Sequence, residues 1–246
     1  MTYLFPSGLS HVGKVRMRNE DTILVDPKGR FAVLADGMGG HLGGQIASQM
    51  CVEELNKSLS DEYEDLAKNA NSDAKLEALK NAILRTSSAV SNRAQNDSAC
   101  HQMGTTVVVW LKFDMEIFLA YAGDSRAYLL RNNKFFQMTF DHSFQNEQIK
   151  RGIPASLAHH SPMKNMLVRN VGLYPPTDPT CHIVPSQNDD VWLLCSDGLS
   201  NKLNQQEIHD VLTTHKPHWD QACAALIDLA NARGGEDNIS VIILPI

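Results

Sequence analysis

The sequence predicts an α+β fold: two packed antiparallel β-sheets flanked by helix pairs, an α-β-β-α layered sandwich. Three observations carry this. Several strand-sized apolar runs are joined by hairpin-length links rather than by regularly alternating helices. The long helical stretches arrive in pairs, one pair early in the chain and one near its end. Apolar residues make up 43% of the 246 residues against 20% charged, enough for a sizeable core.

Thr22–Val25 and Phe31–Ala35, separated by Asp26-Pro27-Lys28-Gly29, read as a hairpin. Residues 45–59 carry Ile46, Met50 and Leu55 near helical spacing, and residues 73–95 place Leu76, Leu79, Ile83 and Val90 on one face. A strand-rich middle follows over residues 105–112, 116–122, 127–130 and 135–138, with Asn132-Asn133 turning between the last two. Val191–Cys195 and Ile239–Leu244 are further strands. Between them lie two helices. One is capped at Asn204 with Glu207 three residues on, and the other covers residues 220–232. Residues 152–187, rich in proline and poor in periodic apolar positions, read as irregular. No linker marks a seam, so residues 1–246 read as one domain.

The net charge of −6 argues against a nucleic-acid partner, which calls for a basic face. No apolar run approaches the ~18–20 residues of a membrane helix, and the N-terminus lacks a signal-peptide pattern. Five widely spaced cysteines without a C-x-x-C pair fit neither a disulfide scaffold nor a cysteine zinc site. These features point to a cytoplasmic protein, and a monomer is the default.

The chemistry sits where acidic residues follow or precede apolar strands. Asp36-Gly37 follows Phe31–Ala35, Asp197-Gly198 follows Val191–Cys195, Asp124 follows Tyr121-Ala122-Gly123, Asp237 precedes Ile239, and Glu20-Asp21 precedes Thr22. Taken singly, Asp-Gly is a common tight-turn dipeptide. Five such positions with few basic neighbours favour a hard divalent cation held by oxygens. Zinc-protease histidine spacings are absent.

Seven blocks resemble, in order, the bacterial form of the metal-dependent type 2C serine/threonine protein phosphatases. They are Val15-Arg16-Met17-Arg18-Asn19-Glu20-Asp21, Leu34-Ala35-Asp36-Gly37-Met38-Gly39-Gly40-His41, Met103-Gly104-Thr105-Thr106, Ala122-Gly123-Asp124-Ser125-Arg126, Thr139-Phe140-Asp141-His142-Ser143, Leu194-Cys195-Ser196-Asp197-Gly198-Leu199 and Gly235-Glu236-Asp237-Asn238-Ile239-Ser240. The resemblance implies an enzyme with two Mn²⁺ or Mg²⁺ ions. Asp36 would bridge them, the Gly37 carbonyl would bind one, and Asp197 and Asp237 would complete the other. Glu20 and Asp21 would hold metal-bound waters, and Asp124 with Asp197 would form a weaker third position. Arg16, which alone would read as a surface charge, would grip the substrate phosphate.

The implied reaction is hydrolysis of phosphoserine and phosphothreonine on proteins, opposite a serine/threonine kinase. Met38 stands where some relatives carry a proton-donating histidine; His41 is the candidate donor, against its reading as a turn residue before a helix. Residues 152–163 fall where relatives carry a flap over the site. A serine esterase built on Gly123-Asp124-Ser125 lacks the Asp-x-x-His arrangement, and residues 37–44 do not fit G-x-G-x-x-G. A catalytically silent phosphoprotein-binding module is the alternative, but all the expected acids are present.

Overall fold

The computed structural model describes residues 5–40, 42–173 and 178–246. Its strands are β1 (Ser7–His11), β2 (Asp21–Val25), β3 (Phe31–Met38), β4 (Gly104–Thr105), β5 (Val107–Phe113), β6 (Glu116–Ala122), β7 (Arg126–Arg131), β8 (Lys134–Gln137), β9 (Thr180–Pro185), β10 (Val191–Cys195) and β11 (Ile239–Pro245). The helices are α1 (Gly43–Asn69), α2 (Ser72–Asn96), α3 (Phe144–Lys150), α4 (Ala155–Ala158), α5 (Asp197–Ser200), α6 (Gln205–His215) and α7 (Trp219–Ala232). One sheet runs β1-β11-β10-β7-β8. The other runs β2-β3-β5-β6-β9, with β4 paired to β3. All strand pairings are antiparallel.

The layers follow from strand periodicity. Side chains alternate across a strand, and both faces of the central strands are covered, so these strands read as unbroken apolar runs. In β3, Phe31, Val33 and Ala35 pack toward α1 and α2, while Ala32 and Leu34 face the other sheet. In β10, Leu193 and Cys195 pack with α6 and α7, while Trp192 and Leu194 enter the inter-sheet core. The result is the expected layered sandwich, with three apolar cores between four layers.

Local signals explain most element ends. Asp26 N–H donates to the Phe31 carbonyl and Gly29, at φ 67°, closes the β2–β3 turn. Asn132 and Asn133 both take positive φ (50° and 59°), the conformation a two-residue hairpin needs. Asn204 and Glu207 form a reciprocal capping box on α6.

Two expectations require correction, and one strand carries no sequence signal. The first helix runs ten residues past Leu59, carried by Tyr63 and Leu66 against the core although its other late residues are solvated. The stretch 152–187 is not wholly irregular. It holds α4 and then β9, an edge strand whose Cys181 and Ile183 pack on the helix-side core. Prolines mask this strand, and an edge tolerates Pro185 at its end. Strand β1, with its Ser-Gly-Leu-Ser-His sequence, carries no apolar alternation and is held by pairing with β11. No described helix is long and apolar enough to cross a membrane.

Candidate metal centre

The carboxylates meet because both sheets end at the same place. In the β2–β3 ladder Asp21 lies directly opposite Asp36, so two acids sit side by side on adjacent strands. Asp124 leaves the end of β6 in the same sheet. From the other sheet, Asp197 follows β10 and Asp237 precedes β11, and Ser196 N–H bonds the Ser240 carbonyl at 3.1 Å between them.

The glycines after two of these acids are required by close packing rather than by left-handed turns. A Cβ on Gly37 would lie 2.0 Å from the Gly44 carbonyl oxygen, and one on Gly198 would lie 2.0 Å from the Asn238 carbonyl oxygen. Neither residue has positive φ. The Asp-Gly pairs therefore mark places where a second backbone segment is pressed against the strand end.

A cavity of about 250 Å³ opens at this junction. Arg16, Glu20, Asp36, Gly37, Asp124, Asp197 and Asp237 all line it, together with Met38, Thr106, Leu167 and Asn238. Asp21 does not reach the cavity wall. It is 7% exposed, and its Oδ2 accepts from Ser196 Oγ at 2.8 Å and Ser240 Oγ at 2.7 Å. His41 lies outside the described residues.

Residues around the acids hold them in place. Thr106 Oγ1 accepts the Asp36 N–H at 3.0 Å and bonds Ser125 Oγ at 2.7 Å. Asn238 is buried and ties down the Arg16–Glu20 loop. Its Oδ1 accepts from Glu20 N–H at 2.8 Å, and its Nδ2 donates to the Arg18 and Val12 carbonyls at 2.8 and 2.9 Å. Sequence reasoning quoted Asn238, Ser196, Ser240 and Thr106 in motifs without giving them these roles. A buried polar residue beside an acid is the only signal that could have done so.

The electrostatics are those of a site short of positive charge. Burial, followed by the charges of Asp21, Asp197, Asp124 and Asp237, holds Asp36 well above the ordinary carboxylate range. Burial pushes Asp21 up to about 6 despite the two serine hydroxyls. Burial and then Asp197 and Asp141 push Asp124 up to about 7. Asp197 is raised by burial and Asp237, and Glu20 by burial against the pull of Arg16. Arg16, the one cation lining the cavity among the described residues, pairs with Asp237 at 2.9 Å.

This donor set fits hard divalent ions. Asp21 Oδ1 is buried without a hydrogen-bond partner, an orphaned acceptor of the kind a cation or its water satisfies. Among the described residues no three acidic, histidine or cysteine side chains converge into a ready-made metal cage. Mg²⁺ asks for no such cage: it keeps several waters and takes one or two carboxylates. Mutually repelling acids spread around a cavity suit that mode.

Comparison with known proteins agrees with this geometry. The profile of the family Protein phosphatase 2C matches residues 10–153. The chain is 34% identical over 236 residues to the Serine/threonine phosphatase stp of Listeria welshimeri, covering 94% of this chain and 92% of that protein. A Streptococcus agalactiae serine/threonine phosphatase structure superposes with a TM-score of 0.87 at 32% identity, covering 99% of this chain and all of that one. The catalytic domain of the serine/threonine protein phosphatase PstP, solved with two manganese ions, superposes with a TM-score of 0.82 at 30% identity over 97% of this chain and 96% of that one. From the match of profile, near full-length relative and fold, the chain belongs to the protein phosphatase 2C family of serine/threonine protein phosphatases.

Proposed function

We propose that the chain, acting as one catalytic domain, hydrolyses phosphoserine and phosphothreonine on cytoplasmic phosphoproteins with two Mn²⁺ or Mg²⁺ ions, opposing a serine/threonine kinase. The observation that carries this reading is Asp36, raised by burial and then by four neighbouring carboxylates, in a cavity whose only lining cation among the described residues is Arg16. A site with this charge balance is completed by cations, and phosphate monoesters need cations at the reacting group.

In this reading Asp36 and the Gly37 carbonyl would hold one ion, and Asp36, Asp197 and Asp237 would hold the other. Glu20 and Asp21 would accept hydrogen bonds from water at the ions, and Asp124 with Asp197 would offer a weaker third position. When bound, the ions supply Lewis acidity that acidifies water and neutralises phosphate charge. Thr106 and Asn238 fix the strand end and the loop that present these oxygens. Arg16 brings a planar fork matched to phosphate oxygens. Its bond to Asp237 is half-exposed, with side-chain exposures of 53% and 38%, so it is weak enough to be exchanged for a phosphate. No side chain is needed as a covalent nucleophile. Met38 lines the cavity and has no ionisable proton to donate. His41 remains the nearest candidate donor by sequence. Residues 152–163 act as the flap, and a monomer suffices because every assigned residue comes from one chain.

Turnover of an aryl phosphate and of a phosphothreonine peptide with Mn²⁺ tests the reading. Activity is expected to vanish with chelator and in Asp36→Asn. Full turnover in chelator would overturn it.

A further inference from the structure

A second cavity, of about 500 Å³, lies behind the wall of the metal centre. Its walls are aromatic and apolar. The buried Tyr121 ring stacks on His142 at 5.0 Å and 10°, and lies 6.0 Å from His182. Phe140 and Ile149 complete the apolar surface, Phe140 being half-exposed. His142 is fixed from both sides: Nδ1 accepts the Gly123 N–H at 3.2 Å, so Nε2 carries the proton that bonds Thr180 Oγ1 at 2.9 Å.

The charges around this cavity do not cancel. Asp141 accepts from Nε and Nη2 of Arg126, at 2.9 and 2.7 Å, and Glu147 pairs with Arg151 at 3.3 Å. Lys150 and Arg169, also in the lining, form no ion pair among the described residues. Arg169 spends Nη1 on Thr180 Oγ1 at 3.1 Å and on the Asp178 carbonyl. An apolar, ring-lined cavity with two uncompensated cations selects an apolar body carrying an anion.

Two observations favour a protein segment as that body. First, the cavity adjoins the catalytic one: Ser143 in its lining is bridged to Leu167, which lines the metal centre. The two cavities thus share a wall where Ser143 and Leu167 lie on paired segments about one strand spacing, ~4.8 Å, apart, and an extended peptide spans such a wall in a few residues. Second, the segment that follows α3 in sequence exposes several apolar side chains that a bound peptide would cover. Ile153, Leu157, Met163 and Met166 are each more than a third exposed.

We propose that this cavity is a docking site for the phosphoprotein substrate, accepting an aromatic or bulky apolar side chain next to an acidic residue whose carboxylate meets Lys150 and Arg169. The proposal rests on the protein phosphatase reading and adds a sequence preference to it. Neither Lys150 nor Ile149 belongs to the metal centre, so their substitution leaves chemistry on a small phosphate ester intact.

The test uses phosphothreonine peptides of one length with Mn²⁺. A Phe-Asp pair, or Ala-Ala, is placed three to six residues to either side of the phosphothreonine, and an aryl phosphate serves as the control substrate. In the wild type at least one Phe-Asp placement should be about tenfold better in kcat/KM, mainly through KM. Lys150→Glu and Ile149→Asp should each remove most of that advantage while aryl phosphate turnover stays unchanged. Equal rates for all placements, or an advantage that survives both substitutions, would overturn docking here while leaving the phosphatase reading intact. Equal rates with 2-naphthoate binding detected by calorimetry would identify a small-molecule pocket instead and also overturn it. Absence of aryl phosphate turnover in the wild type would instead remove the phosphatase reading and the docking site with it.

Discussion

Two sets of partly or fully buried aspartates occupy this fold, and they are built on opposite principles. Asp26, Asp141 and Asp190 each meet an arginine fork: Arg30 at 2.9 and 2.8 Å, Arg126 at 2.9 and 2.7 Å, and Arg131 at 2.8 and 2.6 Å. Burial works against the Asp26 carboxylate, yet the side-chain and backbone bonds of Arg30 outweigh it and hold its pKa below the usual value. Asp21, Asp36, Asp124 and Asp197 have no such fork, and all are raised. The first set is complete in the folded chain alone. The second is complete only when something positive arrives, and that incompleteness distinguishes a site from a structural ion pair.

The sharpest way to break the comparison is to neutralise one member of each set. Asp36→Asn should cost at least about a thousandfold in kcat, since it removes the negative charge of the carboxylate proposed to hold the ions. The same change should raise the melting temperature of the chelated protein at pH 7.5, because it relieves the repulsion focused on Asp36. A lower melting temperature would mean that the acids are not in conflict. Asp190→Asn should do the reverse. It should leave turnover per folded molecule unchanged and cost about 2–3 kcal/mol of stability in denaturant melts. That is below the ~3–5 kcal/mol of a fully buried pair because the Arg131 side chain keeps 21% exposure.

Metal and pH sharpen the same contrast with a smaller effect. Unfolded aspartates titrate near 4, whereas in the folded, metal-free chain Asp21 titrates at about 6 and Asp124 at about 7. Between these values the folded state holds protons that the unfolded state has released. Stability of the chelated protein should therefore fall as pH rises from about 4 to about 7. Divalent ions require the ionised acids, so stabilisation by Mn²⁺ should run the other way, growing over that range with proton release. At a hundred times its Kd, Mn²⁺ should contribute about 2.7 kcal/mol. Thermal melts at pH 5 and 7.5, with chelator and with Mn²⁺, check both signs; a chelated protein that gains stability up to pH 7 would contradict this account.

These tests also mark what was readable beforehand. The layered fold, the β2–β3 hairpin, the Asn132-Asn133 turn and the Asn204 cap were legible because each depends on neighbours in sequence. Strands β1 and β9 were not: their place is set by partners distant in sequence, in β11 and β6. The acids themselves stood out as interruptions at the ends of apolar runs. Their division into cavity-lining and buried members did not, because it depends on which strand end turns inward. By sequence the Asp-Gly pairs read as turns or ligands, and the structure adds a third reason for them. A carbonyl lies where a Cβ would stand, a contact made by Gly44 against Gly37 and by Asn238 against Gly198.

The smallest expected effect separates Arg16 from the arginines of the structural set. Arg16 leans on Asp237 through a single half-exposed bond, whereas Arg30 and Arg131 use two nitrogens on largely buried carboxylates. Removing a pair as exposed as Arg16–Asp237 costs little stability. Arg16→Ala should therefore leave the melting temperature within a degree or two while raising KM about tenfold for aryl phosphate and phosphopeptide alike. The parallel rise follows if the fork binds the phosphate that both substrates share, in ground state and transition state equally. Arg16→Lys should recover only part of the loss, because an ammonium offers a point charge and no planar fork. Arg30→Lys, by the same geometry, should lower stability and leave KM alone. If Arg16→Ala instead lowered the melting temperature and spared KM, Arg16 would belong with the structural pairs, and the phosphate would have to be held by the ions alone.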